Sequence, residues 1–181
     1  MLLKVAKYGE KILRERTVNV DSVTDELRKL SQDMLETMYH TKGVGLAAPQ
    51  VFRNERLCVI DVPPDCEEQF DCQFNLPVRM PLKMWNPEII QRTGAVTDKE
   101  GCLSFPGLSG YVTRAEQVTC TYLDEFNKIQ TITARGFLAR AIQHEVDHLD
   151  GTVYIDRLSA VERLSLSKKL KRLCKENGSV R

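Results

Sequence analysis

The chain has 181 residues, 42% of them hydrophobic and 28% charged, with a formal net charge of +1. That length suffices for one domain with its own core, and the composition is that of an ordinary globular protein. The near-neutral balance gives no global attraction to nucleic acid or membrane, and no apolar run approaches the ~18 residues that span a bilayer.

The first stretch, "MLLKVAKYGEKILRERT", is interrupted by Lys4 and Lys7, which makes it a poor secretory signal and unlike a transit peptide. A cytoplasmic location is the expectation. The six cysteines (Cys58, Cys66, Cys72, Cys102, Cys120, Cys174) form no C-x-x-C pair, so free thiols in a reducing compartment follow. Cys66 and Cys72 share one loop-like stretch.

"DSVTDELRKLSQDMLETMYHTKG" reads as an amphipathic helix, with Leu27, Leu30, Met34 or Leu35, and Met38 at helical spacing. Ser22 with Asp25 predicts its cap, and Gly43 its stop. His40 falls near the C-terminal end, where a cation suits the macrodipole. "GVGLAAPQV" then leads into a strand at "RLCVIDV". Residues 63–81, rich in proline and without periodicity, read as an excursion between strands. Further strands are expected at "LKMWNPEIIQR", around "AVTDKEGCLSF", and at "QVTCTYLD" and "KIQTITAR", the last two joined through "EFN" as a hairpin.

A second helix, "FLARAIQHEVDHL", ends at Gly151, and a third starts at Ser159 with Glu162 completing an S-x-x-E capping box, running to about Glu176. The sum is an α+β fold: mixed, mainly antiparallel strands packed around a central metal-binding helix, with N- and C-terminal helices.

That central helix carries H-E-x-x-H. Residues i and i+4 lie one above the other, so His144 and His148 aim their imidazoles at one point. Glu145 projects to the same side a step around, which suits a base beside a metal-held water rather than a ligand. A catalytic site takes three protein ligands and leaves one position open, yet the only other histidine is His40. Thermolysin-like enzymes use a later glutamate, for which Glu162 is the candidate. The metzincin pattern matches through Gly151 and then has Tyr154 where its third histidine belongs. Cys102, in "EGCLSFPG", offers a thiolate.

"GVGLAAPQ" (Gly43 to Gln50), "EGCLS" (Glu100 to Ser104) and "QHEVDHLDG" (Gln143 to Gly151) together resemble the three motifs of the peptide deformylase family, in the family's order and with comparable separations. The resemblance implies one catalytic domain over residues 1–181. It implies a hydrolase of protein biosynthesis and N-terminal processing, removing the formyl group from the initiator N-formylmethionine of nascent polypeptides and releasing formate. It makes Cys102 the third ligand beside His144 and His148, with water in the fourth position. Glu145 then takes a proton from that water and returns it to the methionine nitrogen, while the Gln50 amide and the Leu103 backbone N–H face the oxyanion.

By the same pattern Val44, Phe137 and Ala141 line a methionine slot, and Gly45 keeps the wall thin at the formyl end. Glu100 touches the substrate edge or orients the metal loop, through Arg114. Fe2+ is the physiological metal implied, and a Cys-His-His set also suits Zn2+, Ni2+ or Co2+. The basic residues Lys168, Lys169, Lys171, Arg172 and Lys175, opposed by Glu176, suit a solvated helix face or a ribosome contact of the kind some bacterial deformylases make through a C-terminal helix.

Two departures stand out. Many family members have a basic residue seven positions after the ligand cysteine; here it is Ser109, with Tyr111 nearby to reshape the mouth of the site. The 63–81 segment also varies among members. Two rivals remain. A metalloendopeptidase requires Glu162 as ligand. A non-catalytic metal- or ribosome-binding module requires a fourth ligand, for which Cys120 is the nearest thiol in sequence.

Overall fold

The computed structural model describes residues 1–66 and 68–176. Its core is a five-stranded sheet of order β1-β2-β3-β6-β7, built from Gly45–Ala47 (β1), Leu57–Ile60 (β2), Leu82–Thr93 (β3), Gln117–Leu123 (β6) and Ile129–Arg135 (β7). Every neighbouring pair in it is antiparallel. Val96–Gly101 (β4) and Ser109–Arg114 (β5) form a separate antiparallel pair. The helices are Asp25–His40 (α1), Gln69–Asn75 (α2), Gly136–Leu149 (α3) and Ala160–Glu176 (α4).

Side chains on a strand alternate between its two faces, and β2 shows what that does here. Leu57 and Val59 enter one apolar cluster with Leu27, Leu30, Met34, Leu35 and Met38 of α1. Cys58 and Ile60 enter another with Leu138, Ile142, Val146 and Leu149 of α3. The sheet therefore lies between α1 and α3, and β2, covered on both sides, is apolar at every position. A third cluster gathers Leu13, Phe105, Val112, Tyr154 and Ile155 with Leu170 and Leu173 of α4, which docks that helix by one narrow stripe.

The expected helices and strands are present, with local corrections. Thr24, not Ser22, caps α1, accepting from Leu27 N at 3.3 Å. Lys42 rather than Gly43 takes the left-handed conformation after it (φ 57°), while Gly43 N bonds back to Met38 O at 2.9 Å. The 63–81 excursion contains α2, whose Phe70 and Phe74 rings flank the Arg135 guanidinium. The strand β5 went unread because its inward residues are Gly110, Val112 and Arg114, so the apolar alternation shows at one position only.

The two remaining expectations held. The β6–β7 hairpin turns through Asp124–Lys128 with Asn127 left-handed (φ 62°). The α4 cap is closed by Glu162 N bonding to Ser159 Oγ at 3.2 Å.

Candidate metal centre

Helix α3 leaves β7 directly, crosses the sheet and is tied down along its length. Gln143 clamps the β5–β6 connection, its Oε1 accepting from Ala115 N at 3.0 Å and its Nε2 donating to Ala115 O at 2.9 Å. Arg140 pairs with Asp98 and donates to Lys99 O at 3.0 Å. A helix held this way presents His144, Glu145 and His148 at fixed positions.

Cys102 arrives from the turn that joins β4 to β5. Its Sγ lies 3.2 Å from His148 Nε2, and the donor atoms of Cys102, His144 and His148 all fall within 4.8 Å of one another. This is the one group of metal-type donors among the described residues, and neither Glu162 nor Cys120 belongs to it. Glu162 instead caps α4 and accepts from Tyr111 N at 3.0 Å. Cys120 is buried in the core cluster on the α3 side, where burial pushes its thiol up to about 12.

Behind the donors runs a buried ionic network. Glu100 Oε2 meets His144 Nδ1 at 3.1 Å, which leaves Nε2 to face the cluster. Arg114 grips Glu100 with two bonds of 3.0 Å and reaches Asp147 at 2.5 Å. Arg157 holds Asp147 from outside at 2.6 and 3.0 Å. Burial alone would raise the Glu100 carboxyl, but its bonds to His144 and Arg114 prevail and hold it at about 2. The Glu100–Arg114 pairing matches one of the two readings that the sequence offers for Glu100. Asp147 and Arg157 were missed, because a carboxylate inside H-E-x-x-H points away from the histidine face.

Glu145 is 4% exposed, and its Oε2 has no hydrogen-bond partner. Burial pushes this carboxyl up to about 7, against the pull of His144 and Arg114. In His148 burial works the other way, with the His144 charge adding to it, and keeps the imidazole neutral.

Gln50, 1% exposed, sits on the turn after β1. Its Oε1 accepts from Ala47 N at 2.8 Å, which fixes the amide. The Nε2 then faces Cys102 Sγ (3.4 Å) and Ser104 Oγ (3.2 Å).

These groups open on a cavity of about 640 Å³ whose walls include Val44, Gly45, Gln50, Cys102, Leu103, Phe137, Ala141, His144 and Glu145. All the site residues expected from sequence line it except Arg114 and the deeper His148, and Glu100 reaches its edge. Gly45 also lies directly against the base. A Cβ there would fall on the Glu145 carboxylate, 2.8 Å from its Cδ, so the glycine makes room for the acid. Neither Ser109 nor Tyr111 lines the cavity; its cations are Lys7, Lys42, Lys99 and Arg140.

The polypeptide deformylase family model matches residues 2–164. A peptide deformylase of Endomicrobium trichonymphae is 46% identical over 170 residues, 94% of each chain. One of Orientia tsutsugamushi (strain Boryong) is 46% identical over 164 residues, 90% of each. Among solved structures, the chain is similar to a Legionella pneumophila peptide deformylase, with TM-score 0.83, 35% identity and 100% of both chains covered. It is also similar to one from Synechococcus elongatus in complex with actinonin, with TM-score 0.81, 39% identity, and 94% of this chain and 85% of that chain covered.

Proposed function

Because the chain belongs to the polypeptide deformylase family, and so is a metal-dependent hydrolase that deformylates nascent polypeptides, we propose that Cys102, His144 and His148 hold its metal and that Glu145 moves the proton. One observation carries this reading: a buried carboxylate with an unpartnered oxygen lies on the cavity wall beside a Cys-His-His donor set. The donors suit the metal. Tetrahedral coordination by one thiolate and two imidazoles needs ligand separations of about 3.5 Å, and these atoms already lie within 4.8 Å of one another. A divalent metal supplies Lewis acidity there and lowers the pKa of water toward ~7.

The remaining work falls to the protein. Glu145, with its carboxyl raised by burial, accepts a proton from water and returns it to the methionine nitrogen as the formyl C–N bond breaks and formate leaves. Gln50 Nε2 and the Leu103 N–H donate to the oxyanion, each worth ~2.7–4 kcal/mol of barrier by analogy with other oxyanion donors. Val44, Phe137 and Ala141 form the apolar wall for the methionine side chain. Glu100 accepts from His144 Nδ1–H and fixes that ring, and Arg114 keeps Glu100 ionised.

Residues 1–181 act as one catalytic domain, and the two core clusters on opposite faces of one sheet, with a third that docks α4 beside the Cys102 turn, support that. No helix among the described residues is long and apolar enough to cross a membrane. We place the enzyme in the cytoplasm with its nascent substrates and take Fe2+ as the working metal, with Zn2+, Ni2+ and Co2+ able to bind the same donors.

The test is formate release from formyl-Met-Ala-Ser by protein loaded anaerobically with Fe2+, beside Glu145→Ala. Release that disappears in the variant is expected. No release at full metal occupancy would sink the reading.

The cationic face of α4 supports a ribosome contact: Lys168, Lys169, Lys171 and Lys175 are exposed, while Leu170 and Leu173 hold the helix to the body. Reversing the four lysines to glutamate leaves that stripe intact and is expected to abolish salt-sensitive pelleting with ribosomes. Unchanged pelleting would remove the proposal.

A further inference from the structure

The N-terminal segment has no place in the mechanism above, yet three consecutive residues of it are bonded to the walls of the site. Ala6 N donates to Gln50 O at 2.7 Å, and Tyr8 N donates to Ser104 O at 2.9 Å. Between them, Lys7 turns inward and its Nζ donates to Leu103 O at 2.8 Å. The Tyr8 ring then packs on Phe105 at 4.8 Å between centroids. Gln50 and Leu103 are the two oxyanion donors, carried on segments far apart in sequence. One short N-terminal segment therefore staples both, and the Lys7 side chain, bonded to Leu103, is also on the cavity wall.

We infer that Lys7 is a positioning residue for the oxyanion site, locking the Leu103 peptide so that its N–H keeps its aim through the reaction. The inference rests on the deformylase reading above. Its physical basis is that an N–H donor is only as well aimed as the two peptide planes flanking its residue. On one side, Cys102 is anchored, with its carbonyl accepting from Phe105 N at 2.9 Å. On the other, the Leu103 carbonyl borders the cavity, and the Lys7 ammonium is the partner that holds it. A charge-assisted bond of that kind is roughly twice as strong as a neutral one. Replacing it with water frees the 103–104 peptide to rotate and loosens the donor next to it. Oxyanion donors act because they are preorganised, and misplacement by about 1 Å can cost on the order of a hundredfold.

A cation lining a substrate cavity has a plainer possible role, which is binding the peptide backbone. The two roles separate in the kinetics. Positioning a donor used only in the transition state changes kcat and leaves KM alone, whereas a substrate contact changes KM.

The experiment compares wild type, Lys7→Met and Lys7→Arg, each loaded with Fe2+ to the same measured occupancy. The backbone bonds of Ala6 and Tyr8 survive both substitutions, and methionine keeps much of the lysine's apolar stem, so both variants are expected to fold. Lys7→Met should lose about tenfold in kcat with KM within twofold, and Lys7→Arg, which retains a cationic donor, should recover most of it. Hydrogen exchange gives a readout that needs no substrate. Amides of residues 102–105 should exchange faster in Lys7→Met and at the wild-type rate in Lys7→Arg, with α3 unchanged in both.

A rise in KM at constant kcat would make Lys7 a substrate contact and overturn the inference. So would unchanged kcat together with unchanged exchange. If the wild type itself released no formate while the exchange pattern appeared, the deformylase reading would fail and the positioning contact would stand.

Discussion

Gly45→Ala tests whether the glycine of the first motif serves the base, as the structure indicates, or the substrate. Its backbone φ is not in the left-handed region, so alanine is conformationally allowed, and the atoms nearest the new Cβ all belong to Glu145. The Cβ would stand 2.8 Å from Glu145 Cδ and 3.0 Å from its Cγ. Carbon atoms in ordinary contact keep about 3.5–4.0 Å apart. The carboxylate must therefore retreat by roughly 1 Å, and it has the cavity to retreat into. A displacement of that size in a proton-transfer group costs on the order of a hundredfold in kcat, or about 2.7 kcal/mol. The donors Cys102, His144 and His148 are not touched, so metal content is expected to stay at the wild-type level.

The assay is formate release with metal content measured on the same sample, run as a double-mutant cycle with Glu145→Ala. Both substitutions act through one carboxylate, so Gly45→Ala is expected to cost almost nothing further in the Glu145→Ala background. Full additivity, or activity within threefold of wild type for Gly45→Ala alone, would refute the reasoning. Full additivity would return Gly45 to the substrate wall, whereas near-wild-type activity would leave it with neither role.

Cys102→Ala is expected to abolish stoichiometric metal binding by equilibrium dialysis. Glu162→Ala should leave metal bound and instead lower thermal stability by about 0.5–1.5 kcal/mol through the lost bonds from Ser159 Oγ and Tyr111 N; the reverse pattern would restore the endopeptidase alternative. Arg114→Met leaves Glu100 and Asp147 buried without their shared cation. Urea unfolding should show a loss of about 3–5 kcal/mol, and metal affinity should fall about 10–100-fold because Glu100 no longer holds His144 firmly. Unchanged affinity would mean that the network is structural only.

The candidate site was legible wherever the chemistry is local. His144, Glu145 and His148 share one helix, and 3.6-residue periodicity alone sets them side by side. The helices α1, α3 and α4 carry apolar stripes, stops or capping signals within a few residues of their own ends. The long strands flanking the β6–β7 hairpin alternate visibly. Signals failed where the partner is distant. Thr24 and Ser22 are equivalent capping residues in sequence, and the chain's path into α1 chose between them. The strand β5 lacks an apolar face because Arg114 turns inward to Glu100 and Asp147, and no window of β5 contains either. Proline and the absence of a stripe disguised α2, a short helix held to Arg135 through Phe70, Phe74, Asp71 and Asn75.

By itself the sequence determined the helical histidine pair, the acid beside it, the presence of a thiol in a turn and, through three motifs taken together, the family. Those are properties of residue type and short-range spacing, which backbone geometry converts directly into position. Tertiary structure alone decided that Gly45 lies against Glu145 and that Lys7 reaches the Leu103 carbonyl, and it set the thiol of Cys102, which the motifs together implied, beside the histidines. Each of these depends on segments dozens of residues apart being pressed together by the burial of α1, α3 and α4 against the sheets. Which side chains then meet follows from the packing of the whole core, and no short stretch of the chain encodes it.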